Sequence, residues 1–178
     1  MGDKIYLDST EMLRDSFKLA RKIYDSGFRP DVLVALWRGG TPVGIAIHEF
    51  FDLKGMTCYH TSIKTCSYTG IGERCEPTVE NLGCIIEKLS PHTRVLVVDD
   101  IFDTGSTVRA VREKLLETTD CVRVATLYYR PAHNITDFTP DFYLKETDTW
   151  LVFPHELVGL TPEEIKRKDR IIYDTCGF

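Results

Sequence analysis

The 178-residue chain has no apolar run long enough to span a bilayer, which excludes a transmembrane helix as its organising element. Its opening, MGDKIYLDSTEML, lacks the apolar core of a signal peptide, so a cytoplasmic location is expected, with no membrane partner. Six cysteines (Cys58, Cys66, Cys75, Cys84, Cys121, Cys176) fall singly, without a C-x-x-C pair, which removes the common zinc and dithiol motifs. The five histidines also lack metal-ligand spacing. Basic residues are not in excess: 22 Lys and Arg against 27 Asp and Glu leave a net charge of -5, which argues against a dedicated nucleic-acid binder. No repeat, linker or low-complexity tract interrupts the chain. With 43% hydrophobic and 28% charged residues, it reads as one globular domain over 1–178. Such a domain buries roughly two-thirds of its unfolded surface. Cys58, Cys84 and Cys121 lie in or beside apolar runs and read as small core residues. Cys66 and Cys75 read as free thiols of a reducing compartment, with a disulfide across their loop as the alternative.

What the chain does have is concentrated in Val95–Thr107, VLVVDDIFDTGST. Val95–Val98 is continuous and β-branched, as expected of a strand buried on both faces of a parallel sheet. Residues 107–117 place Val108, Val111 and Leu115 on one face, so a helix follows. Thr104, Gly105, Ser106 and Thr107 fall where that helix exposes unpaired N–H groups, and its dipole favours an anion there. A single N-cap would satisfy the helix start. It would not explain Asp99 and Asp100 side by side at the strand's carboxyl end, the edge where open α/β sheets bind ligands. Carboxylates beside an anion-binding turn suit a phosphorylated sugar.

Along the rest of the chain, Leu13, Phe17, Ala20 and Tyr24 mark an amphipathic helix over Asp8–Ser26, stopped by Gly27. Val32–Leu36 predicts a buried strand and Pro42–Phe51 a helix, with Thr41 as cap and Pro42 at the first helical position. Thr57–Lys64 alternates as a strand, and residues 65–80 form a polar, glycine-bearing loop. Residues 81–89 are ambiguous. Val122–Tyr128 is a further strand, while Phe142–Leu144 and Trp150–Phe153 suggest short strands outside the core. Thr161-Pro162-Glu163-Glu164 opens a last helix with a capping box. Alternating strands and helices predict an α/β fold: a parallel, doubly wound sheet flanked by helices. A second strand-to-helix turn, Trp37-Arg38-Gly39-Gly40, frees backbone amides to face an anion and adds the fixed charge of Arg38. A plain tight turn explains it equally well in isolation.

Two acids, two apolar residues and Asp-Thr-Gly-x-Thr together resemble the phosphoribosyl-pyrophosphate (PRPP) signature of type I phosphoribosyltransferases, and the likeness extends over about residues 30 to 156. The resemblance implies that fold, with a small hood at about 130–156 and a flexible flap at about 65–80. It implies that Asp99 and Asp100 hold the ribose hydroxyls and help bind magnesium. It also implies that Thr104, Gly105, Ser106 and Thr107 cradle the 5′-phosphate and that Asp103 is the catalytic acid or base at the purine imidazole. Arg38 and Gly39 match the family's pyrophosphate loop, which often carries a non-proline cis peptide, here the Trp37–Arg38 bond. Ser67 and Tyr68 match a Ser-Tyr pair of the flap. Trp150, Leu151 and Arg130 match the base-binding positions of the 6-oxopurine branch, Arg130 standing where lysine is usual. Glu156 matches a metal-binding acid that is usually Asp. The implied activity is purine salvage: transfer of ribose 5-phosphate from PRPP to hypoxanthine, guanine or xanthine, releasing pyrophosphate. A homodimer or homotetramer is implied as well. A PRPP-sensing regulator that binds nucleic acid and an adenine or pyrimidine phosphoribosyltransferase share the fold and stay open as alternatives.

Overall fold

The β-branched runs of this sequence become the central strands of its sheet, against which α2 and α4 pack. The structure, a computed structural model, describes residues 4–66, 69–70, 73–74, 78–80 and 82–178. The chain opens with β1 (Lys4–Tyr6), α1 (Ser9–Asp25), β2 (Val32–Trp37) and α2 (Gly40–Leu53). Then come β3 (Tyr59–Cys66), β4 (Thr69–Gly70), β5 (Glu73–Arg74), β6 (Thr78–Glu80) and the single turn α3 (Gly83–Ile86). After these stand β7 (Arg94–Phe102), α4 (Ser106–Leu116), β8 (Cys121–Tyr129) and a 3-10 turn at Pro131–His133. The chain finishes with β9 (Phe142–Glu146), β10 (Trp150–Val152), α5 (Pro162–Lys168) and α6 (Arg170–Thr175).

Met12–Asp148 form one compact unit. Its six-stranded sheet has the order β6-β3-β2-β7-β8-β9. β3, β2, β7, β8 and β9 run parallel, and β6 lies antiparallel on β3. Side chains alternate across the sheet. Val32, Val34, Leu36, Val95 and Val97 join Val108, Val111 and Leu115 of α4 and Ile85 of α3 in one buried cluster. α2 packs against β2 and β7, and it buries Val43, Ile47 and Phe51. From β2 the chain steps outward to β3, whereas from β7 it steps the opposite way to β8. That reversal opens a crevice between the carboxyl ends of β2 and β7, where doubly wound sheets take their ligands.

Met1–Glu11 and Thr149–Phe178 form the second unit. There β1 pairs in parallel with β10, Lys4 opposite Trp150 and Tyr6 opposite Val152. Lys4 Nζ meets Glu164 Oε1 at 2.6 Å. The predicted capping box is formed: Thr161 N donates to Glu164 Oε2 at 2.8 Å, and Glu164 N donates to Thr161 Oγ1 at 3.3 Å.

Several boundaries differ from the sequence reading. α2 begins at Gly40 rather than Pro42, with Gly39 as N-cap and no side-chain cap bond, so Thr41 is inside the helix. The segment expected as one last helix is two, because Asp169 has an extended backbone and caps the second by accepting from Ile172 N at 2.9 Å. β9, expected outside the core, is the edge strand of the main sheet, paired with β8 from Ala125↔Phe142 to Tyr129↔Glu146. Thr78–Glu80, expected within a loop, pairs with β3. Cys84, expected in the core, is exposed; Cys58 is buried as expected, and burial pushes its thiol up to about 12. Cys75 and the side chain of Cys66 lie outside the described residues, as do Ser67 and Tyr68. Among the described residues, no helix is long and apolar enough to cross a membrane.

Candidate active site

At the floor of the crevice, β7 carries the acidic pair near its carboxyl end. Asp99 is partly exposed and Asp100 is buried. Asp99 Oδ1 accepts from Asp100 N at 3.0 Å. Desolvation among the surrounding protein groups holds the Asp99 carboxyl above its ordinary value, against hydrogen bonds from Asp100 and Gly40 that favour its charged form. A carboxylate held in such a place is eased by a nearby positive charge.

On the β2 side, the Trp37–Arg38 peptide bond is cis, as the resemblance implied. Arg38 is exposed, and Gly39 lies directly against the carboxylate of Asp100: a Cβ at Gly39 would overlap Asp100 Oδ2 and Cγ. A Cβ at Gly40 would overlap the Val98 carbonyl oxygen and come within 2.9 Å of Asp99 Cα. The paired glycines therefore let the start of α2 touch the strand that carries the acids, bringing Arg38, Gly39, Asp99 and Asp100 together.

The turn into α4 has Gly105 at its N-cap with φ 77°, the left-handed region that favours glycine. A Cβ here would strike the Phe102 ring and lie 2.9 Å from Thr136 Cγ2. Thr104 Oγ1 and Ser106 Oγ are 2.9 Å apart and share a hydrogen bond. Ser106 N donates to Thr104 Oγ1 at 3.4 Å, and a helix start of this kind leaves further N–H groups of its first turn without helical partners beside these hydroxyls. Thr104, Gly105, Ser106 and Thr107 thus form a small, neutral anion cradle next to the acids.

Asp103 projects from the same turn. Its Oδ1 lies 3.2 Å from Arg130 Nη1 and 3.0 Å from His133 Nδ1. Oδ1 is enclosed by protein, yet neither nitrogen makes an aligned hydrogen bond to it: Arg130 makes an ion-pair approach and the His133 ring a close polar contact. Arg130 is only 6% exposed. Its backbone N–H bonds Phe102 O at 2.9 Å, and its Nη2 donates to Asp148 O at 3.0 Å. The guanidinium, expected to face a purine carbonyl, lies against Asp103, His133 and the Asp148 main-chain carbonyl. His133 was not singled out by the sequence reading. The available signal was Arg-Pro-Ala-His: proline favours a tight turn, and a 3-10 turn places residues three apart on one face.

Trp150, Leu151 and Glu156 belong to the second unit. Trp150 is 57% exposed on β10, and Leu151 is buried. Glu156 Oε2 accepts from Phe153 N at 2.9 Å, closing its own turn. Lys168 Nζ donates to the Phe153 carbonyl at 2.6 Å and to the Glu156 carbonyl. Burial holds that ammonium below its ordinary value, outweighing Glu156 and Asp169.

The donor set around Asp99 and Asp100 fits magnesium. That ion takes oxygen ligands, typically one or two carboxylates, and completes its shell with water and substrate phosphates. Among the described residues, no cluster of three or more His, Cys, Asp or Glu offers an all-protein metal cage.

Comparison with known proteins bears on the same residues. The model of the phosphoribosyl transferase domain matches residues 3–158. The xanthine-guanine phosphoribosyltransferase of Nitratidesulfovibrio vulgaris is 41% identical over 61 residues, 33% of this chain and 33% of that protein. The chain therefore aligns with about a third of the length of that curated relative. The crystal structure of purine phosphoribosyltransferase from Pyrococcus horikoshii superimposes with a TM-score of 0.70 and 27% identity, covering 89% of this chain and 97% of that one. Helicobacter pylori xanthine-guanine-hypoxanthine phosphoribosyltransferase has the same fold, with a TM-score of 0.65 at 22% identity over 86% and 92% of the two chains. Since the matched span takes in both sides of the crevice and nearly all of the sheet, the chain belongs to the phosphoribosyl transferase domain family.

Proposed function

We propose that this chain is a magnesium-dependent phosphoribosyltransferase of purine salvage, transferring ribose 5-phosphate from PRPP to hypoxanthine or guanine, with xanthine a third candidate. The observation that carries the reading is the meeting, at one strand-order reversal, of the Asp99–Asp100 pair, the Gly39–Gly40 approach and the α4 anion cradle. The xanthine-guanine and purine specificities named for relatives support an oxopurine acceptor.

In this reading the 5′-phosphate sits on the Thr104–Thr107 turn, where backbone N–H groups and hydroxyls meet it. Asp99 and Asp100 take the ribose hydroxyls. Gly39 offers its amide and Arg38 its charge to the pyrophosphate, whose departure builds negative charge on the leaving oxygen. Asp99 and Asp100 would hold magnesium, which would supply electrostatic relief to that departing group. The C1′–oxygen bond breaks with its electron pair going to pyrophosphate, and a purine nitrogen supplies the pair for the new C1′–N bond. The proton released by the purine imidazole goes to Asp103. Trp150 offers a flat face for stacking and Leu151 a main-chain edge for the base.

Incubation with PRPP, magnesium and a panel of bases, following nucleotide and pyrophosphate formation, tests the assignment. Nucleotide from hypoxanthine, guanine or xanthine supports it. Tight PRPP binding with no product from any base would refute it and indicate a sensor of the same fold. Product from adenine or a pyrimidine alone would refute the acceptor class.

A further inference from the structure

We propose that His133 is a positioning residue for Asp103, and that Arg130 sets the tautomer in which His133 does this. The inference rests on the reading of Asp103 as the group that takes the purine proton. Its geometric part is independent of that reading.

The 3-10 turn Pro131–His133 is closed by His133 N donating to Arg130 O at 3.1 Å. One turn of this kind stacks the two side chains on a common face, and Arg130 Nη2 lies 3.2 Å from His133 Nε2. A guanidinium has donors and no acceptor, so Arg130 must be the donor in that contact. His133 Nε2 therefore holds its lone pair, and the ring proton of the neutral imidazole is on Nδ1. Nδ1 is the atom 3.0 Å from Asp103 Oδ1.

Arg130 thus acts twice on the carboxylate: directly, with Nη1 at 3.2 Å, and through the ring it orients. The guanidinium is anchored by its bond to Asp148 O and by burial, whereas His133 and Asp103 are 43% and 37% exposed in their side chains. Both approaches fall on Oδ1, which directs Oδ2 to the incoming purine. The contacts are not yet aligned as hydrogen bonds; catalytic contacts of this kind commonly tighten only when substrate arrives. The clamp fixes where the proton acceptor stands during the attack, so its loss lowers turnover and leaves PRPP binding intact.

Two measurements test this. Long-range proton–nitrogen NMR of the ring at alkaline pH reports the tautomer directly, in the wild type and in Arg130→Ala. We expect the Nδ1–H form in the wild type and a shift towards Nε2–H in the variant. An Nε2–H or doubly protonated ring in the wild type would overturn the proposal, whatever the enzyme's activity. Steady-state kinetics then compares His133→Ala with His133→Asn, whose amide nitrogen can occupy the place of Nδ1. Expected is a fall in kcat of about tenfold or more for His133→Ala, with an unchanged KM for PRPP and substantial recovery in His133→Asn. Equal kcat in all three proteins, or a rise in KM for PRPP with no recovery by Asn, would refute it. If the wild type forms no nucleotide from any base, the functional reading fails, and the NMR result alone decides whether the clamp exists.

Discussion

Replacing Gly105 by alanine perturbs the turn that carries the phosphate cradle in two separable ways. At φ 77° an alanine pays for the left-handed conformation, about 1–2 kcal/mol. Its Cβ also collides with the Phe102 ring. Phe102 has no room to yield: it is fully buried and sits edge-to-face on Tyr129 and Phe138, each at 5.6 Å between centroids. Forced overpacking of this kind costs about 1–3 kcal/mol. The sum, about 2–5 kcal/mol, is a large part of a domain's stability. Gly55→Ala is the internal control, because Gly55 has φ 71° with no atom within 4 Å of its Cβ position and should show the conformational cost alone. Urea unfolding of both variants reads the difference; with a slope of about 2 kcal/mol per M, Gly105→Ala lowers the midpoint by about 1–2.5 M. Equal midpoints for the two variants would refute the claim that Phe102 confines the turn.

Three further outcomes are expected. Asp103→Asn lowers kcat by about 100-fold or more while calorimetry finds PRPP affinity unchanged; undiminished turnover rules out a proton role. Gly39→Ala places a methyl on the Asp100 carboxylate without backbone strain, since Gly39 already has φ -63°. Binding of PRPP with magnesium should weaken about tenfold or more, and an unaltered Kd contradicts the close approach. Burial would raise the Asp15 carboxyl, but hydrogen bonds from Lys145 and Lys18, each at 2.7 Å, outweigh it and hold the group below its ordinary value. Its stabilisation is therefore complete above about pH 4 and is lost as pH falls through the lowered value, so Asp15→Asn should cost about 1–3 kcal/mol at neutral pH and flatten the acid limb of a Tm–pH curve. An acid limb as steep as the wild type's would count against it.

The features legible in the sequence were those written in local chemistry. Val95–Val98 followed by acids and hydroxyls announces a buried strand feeding an anion site, and strand order then put a crevice there. Position-specific pairing was harder to read. β9 buries its residues only partly and shows no clear alternation, so its apolar content hides the backbone ladder it makes with β8. β1 is three residues long, too short for any periodicity to show. Gly-Gly reads as a turn in the sequence, whereas in the structure Gly39 against Asp100 and Gly40 against Val98 and Asp99 form the helix N-terminus. His133 escaped notice because its meaning depends on a single 3-10 turn that brings it onto Arg130 and Asp103.

The small unit that joins the two ends of the chain has a consequence for the order of folding. Lys4 and Glu164, 160 positions apart, form an ion pair there, and β1 finds its partner strand only in β10. During synthesis the β1–β10 pairing therefore cannot form before residues 150–152 have been made. The sheet of Met12–Asp148 has every one of its strands available earlier, so its assembly can precede that closure.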